Sequence, residues 1–262
     1  MLKLKKSIRL ESLRLPFKKA LLTASNLGAE GVEINGRTEI RSSEMSRTAI
    51  RHLKKLLADS NLEVSAIHFP TRRGFGISDD LDRRIEATKS AMTLAYELGC
   101  NLVVNQIGRI PEDPEHPEWD VLVQALSDIG NYSQKSGAWL AARTGSEPGS
   151  TMKNLIDALP IHSLVVDFDP GDFLINGFSA TEAMQTLGTH VRSFRARDAV
   201  QDLSLGRSVE VGLGQGSVDW PMLLGTLEEH NYSGFLTIEK DAGENSIEAV
   251  GQAMDYLTQL FR

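Results

Sequence analysis

The sequence predicts an α/β protein, a single-domain (β/α)8 barrel spanning residues 1–262. Three observations support this fold class. A short apolar strand, a loop and an amphipathic helix recur eight times, no low-complexity tract or linker interrupts them, and charged residues gather where strands end. A doubly wound open sheet is the alternative. It would require a glycine-rich phosphate-binding turn after an early strand, whereas the only glycine cluster, GLGQG at 212–216, lies late and has the wrong spacing.

In the first half of the chain, residues that break secondary structure mark the ends of the elements. Gly28 is predicted to end the first helix as a C-cap, Ser43 to cap the second helix, and Pro70 to stop the third strand, because proline cannot donate to a strand ladder. The predicted strands lie at 7–10, 31–34, 64–69 and 102–105, and the predicted helices at 17–27, 43–59, 80–98 and 118–136.

The second half repeats the same unit four more times. Pro170 is predicted to stop the sixth strand and Gly188 to close the helix after it. A long loop through Gly206, Gly212, Gly214 and Gly216 is then expected to follow the seventh strand. Its last part, residues 212–220, is expected to lie at the active face and to end in an N-cap at Asp219, with Pro221 in the first helical turn. The predicted strands lie at 138–142, 164–169, 191–197 and 235–239, and the predicted helices at 150–159, 181–187, 220–230 and 246–260.

Composition and charge argue against several classes of protein. The formal net charge of −7 and a pI of about 5.4 argue against a protein that tracks nucleic-acid phosphates. The single cysteine, Cys100, excludes an intrachain disulfide, and its apolar neighbours predict a buried core thiol. We expect no signal peptide and no membrane span, because no apolar run is long enough. The predicted location is therefore the cytoplasm, and homo-oligomerisation is left open.

The ends of the predicted strands collect charged and polar side chains, and in a barrel these ends form one face. Asp169 and Glu239 are the most informative, because each ends a strongly apolar strand, where an acid is costly unless it is paired or coordinated. His68 is also compatible with a core histidine, and Asn105 with a cap for the following loop. The candidates are Glu33, His68, Asn105, Gln106, Arg143, Asp169, Asp172, Arg195, Arg197, Asp198, Glu239 and Lys240.

Five segments in this order resemble the xylose-isomerase-like TIM barrels. The segments are GAEGVEI at 28–34, DP at 169–170, FRARD at 194–198, VGLGQGSVDW at 211–220 and GFLTIE at 234–239. That superfamily includes sugar isomerases and epimerases, inosose dehydratases and type IV apurinic endonucleases. The resemblance covers nearly the whole chain and implies a TIM barrel, but it does not specify a substrate, because this scaffold supports several chemistries.

The resemblance also implies a metal site, from which this chain departs at two positions. Epimerase-type members hold one divalent metal with a Glu, an Asp, a His and a Glu that end strands five to eight. Asp169 and Glu239 match two of these ligands, whereas Arg143 stands in the first Glu position and Arg195 in the His position. Asp172 replaces a substrate-binding His. Guanidinium groups stay protonated and only donate, so they cannot ligate a metal.

The favoured hypothesis is therefore a sugar isomerase/epimerase-like protein with a degenerate metal site that binds a carbohydrate-like or acidic small molecule without a cofactor. If turnover survives, Glu239 and Asp169 would be its catalytic groups. The substrate-binding candidates are Arg143, Arg195, Arg197, Asp172, His68, Glu33 and Asn105.

Two alternatives remain open from the sequence. The first is an active metal-dependent isomerase or epimerase, in which Asp169 and Glu239 recruit His68, Glu33 or water to hold Mn, Co, Mg or Zn. The second is endonuclease-like action on DNA, against which the acidic balance and the absence of a His-rich ligand set argue.

Overall fold

Eight parallel strands close into a barrel in a computed structural model that describes residues 4–202, 207–240 and 246–260. Each strand pairs with its neighbours in chain order, and the last barrel strand pairs with the first. The predicted fold is thereby confirmed. The barrel strands are β1 (Lys5–Arg9), β2 (Gly31–Asn35), β3 (Glu63–His68), β4 (Leu102–Asn105), β5 (Trp139–Arg143), β6 (Val165–Phe168), β7 (Val191–Ala196) and β10 (Phe235–Ile238).

Helices surround the barrel and cover the outer faces of its strands. None of the helices in the described ranges is long and apolar enough to cross a membrane. The helices are α1 (Phe17–Asn26), α2 (Arg47–Asp59), α3 (Leu81–Leu98), α4 (Pro117–Ser136), α5 (Gly149–Ala158), α6 (Pro170–Ile175), α7 (Ala180–Leu187), α8 (Trp220–Glu229) and α9 (Ser246–Leu260).

Capping side chains account for where several helices begin. The side chain of Asp219 accepts a hydrogen bond from the backbone N–H of Met222, which confirms the predicted cap of α8. The cap of α2 was predicted at Ser43, and this is wrong. Residues 42–44 form a short 3-10 turn, and Ser46 provides the cap by accepting from the N–H of Ala49.

Two elements in the carboxyl-terminal half were not predicted. An antiparallel hairpin, β8 (Asp198–Asp202) with β9 (Arg207–Val211), occupies part of the predicted long loop. The short helix α6 follows β6 directly, whereas the next predicted helix was at 181–187. Pro170 does end the strand, but it also fits the first turn of a helix, and the carboxylate of Asp169 caps that helix through the N–H of Asp172.

The packing between the barrel and its helices is apolar. Phe168 and Phe194, on neighbouring strands, stack with their ring centroids 5.5 Å apart. Phe173 of α6 and Trp220 of α8 extend this cluster outward. Cys100 is buried, and burial raises the pKa of its thiol to about 12, so it remains a protonated core thiol. Side chains that point into the barrel are different, because many of them are charged.

Candidate functional site

Arg195 lies at the centre of the charged network inside the barrel. Its side chain has no exposed surface, and its Nε donates to Asp167 Oδ2 at 2.8 Å. Its two terminal nitrogens contact both carboxylate oxygens of Glu33, at 2.9 and 2.6 Å. Nη1 also donates to Glu239 Oε2 at 3.1 Å. One guanidinium therefore joins carboxylates from strands β2 and β6 and from the end of β10.

Arg143 makes the equivalent connection near the carboxyl ends of the strands. Its Nη1 donates to both carboxylate oxygens of Glu239, at 2.9 and 3.0 Å, and its Nη2 donates to Asp169 Oδ2 at 2.6 Å. Asp172 Oδ2 lies 3.4 Å from its Nε. Arg143 therefore holds together the two acids that the family resemblance assigns to a metal.

Arg197 extends the network from β7 toward the hairpin. Its Nη1 donates to Asp169 Oδ2 at 2.8 Å and to Asp172 Oδ1 at 2.6 Å, and its Nη2 donates to Glu210 Oε2 at 3.1 Å. Glu210 also accepts from Lys240 Nζ at 2.7 Å. The hairpin is thus tied to the barrel mouth by ion pairs through Glu210.

Sequence reasoning missed four members of this network, Arg9, Glu11, Asp167 and Glu210. Arg9 ends β1 and donates to Glu239 Oε1 at 2.5 Å and to Glu11 Oε2 at 2.8 Å. A signal for Asp167 was present, because it lies two positions before Asp169 in the predicted strand 164–169, where alternate side chains face the same side. Arg9 was overlooked because the first strand is short and weakly apolar.

Burial and neighbouring charges act in opposite directions on the acids. Burial alone would raise the pKa of Glu239, but the guanidinium groups of Arg143, Arg195 and Arg9 outweigh it and hold that pKa well below its usual value. Arg143 and Arg197 likewise outweigh burial and lower the pKa of Asp169. Glu239 is therefore ionised and a weak base, which disfavours it as a proton acceptor in catalysis.

Two other acids shift in the opposite direction. Burial raises the pKa of Asp167, because Arg195 compensates it only in part. Burial, together with the charge of Asp169, raises the pKa of Asp172 to about 6. A quarter of the Asp172 side chain is exposed, so it is also in contact with solvent. It is thus the network acid best placed to change charge near neutral pH.

The remaining sequence candidates surround the same face. His68 is buried, with its Nδ1 4.0 Å from Glu11 Oε2, and burial with the nearby Arg9 lowers its pKa to about 3, so it is neutral. Asn105 is buried and its Oδ1 accepts from the backbone N–H of Thr71, which lies in the loop after β3 and not in the loop after β4 that Asn105 was predicted to cap. Gln106 is exposed at the mouth.

Asp198 does not join the arginines. Its carboxylate accepts from the backbone N–H groups of Gly214, Gly216 and Val218 and from the indole N–H of Trp220, at 3.0–3.3 Å. It therefore fixes the loop between the hairpin and α8. The tight contact at Gly216, where an added Cβ would clash with Asp198 Oδ1, explains the glycine.

A cleft of about 310 Å³ opens beside Arg143 at the carboxyl ends of β4, β5 and β6, and we call it the upper cleft. It exposes hydrogen-bonding groups to solvent, including the side chains of Gln106, Asp172 and Asn176. The volume lies at the lower end of the range for small-molecule sites. Its residues are Gln106, Ile107, Gly108, Arg143, Thr144, Ser146, Asp172 and Asn176.

The donor set does not fit a divalent metal. Two positions of the family's ligand set hold guanidinium groups, which donate and cannot coordinate. The carboxylates of the other two positions, Asp169 and Glu239, already accept short charge-assisted hydrogen bonds from those groups. Within the described residues, no group of three or more His, Cys, Asp or Glu side chains is arranged to hold a metal ion.

Comparisons with known proteins agree with the fold. Among solved structures, a xylose isomerase domain protein from Planctomyces limnophilus is 22% identical, with 92% of this chain and 89% of that chain covered and a TM-score of 0.78. A xylose isomerase-like TIM barrel protein from Mycobacterium smegmatis, in complex with magnesium, is 15% identical, with coverage of 98% and 95% and a TM-score of 0.78.

A D-allulose 3-epimerase from Methylomonas sp., in complex with D-allulose, is 15% identical, with coverage of 99% and 98% and a TM-score of 0.75. These identities support a shared fold and no more.

No curated protein matches the sequence. The family model for the xylose isomerase-like TIM barrel matches residues 21–260. The closed eight-stranded barrel agrees with that match, and the chain therefore belongs to the xylose isomerase-like TIM barrel family.

Proposed function

We propose that this protein binds a carbohydrate-like small molecule in the upper cleft and that it does so without a divalent metal. The observation that supports this most is the position of Arg143. It stands where related proteins place a metal-binding glutamate, and it bridges Asp169 and Glu239 with hydrogen bonds of 2.6–3.0 Å. A fixed guanidinium supplies the positive charge that a metal would otherwise bring to these acids.

The polar groups of the cleft suit hydroxyl groups, which donate and accept at the same time. The Nε of Arg143 is buried and makes no hydrogen bond of good geometry within the described residues. Asp172 supplies an acceptor at the same cleft. Asp172 Oδ2 lies 3.4 Å from that Nε, and a ligand hydroxyl in the cleft can donate to this carboxylate.

Local charge favours a neutral carbohydrate over a carboxylated one. In the described part of the network, five cations face seven carboxylates, so the arginines carry no surplus positive charge. An acidic ligand would meet Asp172 and Asp169 at close range. The cations are Arg9, Arg143, Arg195, Arg197 and Lys240, and the carboxylates are Glu11, Glu33, Asp167, Asp169, Asp172, Glu210 and Glu239.

Epimerisation at the rates of metal-dependent relatives is not expected. That chemistry requires a base, and the acid best placed to act, Glu239, is held ionised with a lowered pKa by three guanidinium groups. The residue that would form a second carboxylate base, at position 143, is an arginine. We infer a binding protein, or an enzyme with a different reaction, rather than a two-carboxylate epimerase.

The test is a titration of chelator-treated protein with D-allulose by calorimetry, with and without added Mn²⁺. The proposal expects the same affinity in both conditions, and a loss of tenfold or more in Arg143→Met. Arg73→Met serves as the control, because Arg73 pairs with Asp79 on an exposed surface. Binding or turnover that appears only with Mn²⁺ would contradict the proposal and support a metal-dependent isomerase with altered ligands.

A further inference from the structure

The inside of the barrel below the arginines is filled by small residues. Barrel interiors are usually packed with bulky branched side chains. Here Ser7 Oγ lies 2.6 Å from Ser65 Oγ although the two come from β1 and β3, with β2 between them, so both hydroxyls lie inside the barrel. Side chains two positions apart in a strand share a face. Arg143, Arg195 and Glu239 point into the barrel, so the residues two positions before them point inward as well. Those residues are Ala141, Ser193 and Thr237.

Because these side chains are small, the barrel contains a cavity of about 590 Å³. It opens at the amino-terminal ends of the strands, and we call it the lower pit. Its polar wall is formed by Ser65, Ser193 and Thr237, all buried, and its aromatic wall by Trp139 and Phe235, both half-buried. This is the opposite end of the barrel from the upper cleft. A cavity of this size with hydroxyl groups is wet or occupied, because dry cavities in proteins are apolar.

The entrance is shaped by a close contact between β2 and β10. A Cβ added to Gly31 would lie 2.5 Å from Cε1 of Phe235, so the glycine provides the space in which the ring lies. Lys5 Nζ lies 5.4 Å from the centroid of that ring and 2.8 Å from Glu63 Oε2. The rim charges of Lys5 and Glu63 are therefore matched to each other.

A buried acceptor stands next to the polar wall. Asp167 is the register partner of Ser193, and its side chain is fully buried. Its Oδ1 makes no hydrogen bond of good geometry among the described residues, whereas its Oδ2 accepts from Arg195. The Ser193 hydroxyl is the neighbouring side-chain donor to this carboxylate, and the negative charge behind the wall disfavours an anion there.

We propose that the lower pit is a second small-molecule site, which takes a neutral ring carrying hydroxyl groups. The apolar faces of the ring lie against Trp139 and Phe235, and its hydroxyls bond to Ser65, Ser193 and Thr237. The volume is within the range of small-molecule sites. The acid behind the polar wall disfavours an anion, and the guanidinium of Arg192, which also lines the pit, disfavours a cation. This site is separate from the upper cleft and does not depend on the function proposed for that cleft.

Saturation-transfer NMR with methyl α-D-glucopyranoside tests the proposal. This neutral ring cannot open, so turnover of a free sugar at the upper cleft cannot consume it. We expect millimolar binding to the wild type and at least tenfold weaker binding in two pit variants. Thr237→Val removes one hydroxyl and keeps the size of the side chain. Asn101→Trp places a large side chain at an exposed position on the rim of the pit. Thr226→Val, an equivalent change on α8 outside the barrel, should leave binding unchanged.

Several outcomes would overturn the proposal. One is a lack of saturation transfer with the wild type, and another is equal affinity of the wild type and both pit variants. A loss confined to Gln106→Ala would place the probe in the upper cleft instead. Because Asn101→Trp alters no buried residue, it keeps the test valid even if Thr237→Val destabilises the barrel. Failure here would leave the D-allulose titration at the upper cleft unaffected, so the two proposals are judged separately.

Discussion

Replacement of Arg195 by methionine is the most direct test of the buried charge network. Methionine keeps much of the length of the side chain but removes a guanidinium that contacts Asp167, Glu33 and Glu239 at 2.6–3.1 Å with no exposed surface. Breaking a buried ion pair by removing one partner costs about 3–5 kcal/mol, because the other charge is left buried and unpaired. Here three carboxylates lose a partner, although Arg9 and Arg143 still compensate Glu239.

We therefore expect Arg195→Met to lower the free energy of unfolding by about 3–5 kcal/mol at pH 7. For a domain of this size, that corresponds to a fall in Tm of roughly 10 °C. The assay is urea denaturation followed by circular dichroism, with a thermal melt in parallel. The matched control is Arg73→Met, which breaks an exposed pair with Asp79 and should cost no more than about 1 kcal/mol.

A second substitution and a pH series identify the cause of the loss. Adding Asp167→Asn to Arg195→Met removes one uncompensated charge and should recover part of the stability. Without Arg195, the pKa of Asp167, already raised by burial, should rise further. An acid whose pKa is higher in the folded state than in the unfolded state favours folding as the pH falls. Arg195→Met should therefore regain stability relative to Arg195→Met/Asp167→Asn between pH 7 and pH 5. A loss no larger than that of Arg73→Met, or one independent of pH, would refute this account of the network.

Three further predictions concern the site and its loop. Arg143→Glu combined with Arg195→His restores the family's Glu, Asp, His and Glu set, so this double variant should be less stable than the wild type without metal. Micromolar Mn²⁺ should raise its Tm and leave that of the wild type unchanged; equal shifts would show that the arginines do not replace a metal. Asp198→Ala leaves several loop N–H groups without an acceptor, so it should cost about 2–4 kcal/mol in urea denaturation. Asp219→Ala removes only a helix cap and should cost about 1 kcal/mol, and equal losses would contradict the anchoring role of Asp198. The pKa of Asp172 is raised to about 6, so lowering the pH from 7 to 5 should stabilise the wild type relative to Asp172→Asn, and parallel pH profiles would disprove the shift.

The sequence alone determined the fold class and the grouping of charged residues at the ends of the strands. Apolar periodicity alternates between strand and helix eight times, and local signals such as the cap at Asp219 depend only on neighbouring residues. Because all barrel strands run in one direction, residues at their ends share one face, which is how Asp169 and Glu239 could be grouped. The arginines at positions 143 and 195 were also visible as departures from the family's ligand pattern.

The tertiary structure alone decided which charges pair and where the barrel is empty. Arg9 and Glu239 are 230 positions apart and meet only because closure of the barrel places the first strand beside the last. Glu210 reaches Arg197 only through a hairpin whose alternating pattern was read as a loop. The lower pit likewise depends on which face of each strand points inward and on the absence of bulk from several strands at one level. Ion pairing and cavity formation are properties of residues that are close in space and distant in sequence, whereas periodicity and capping report only on residues within a few positions of one another.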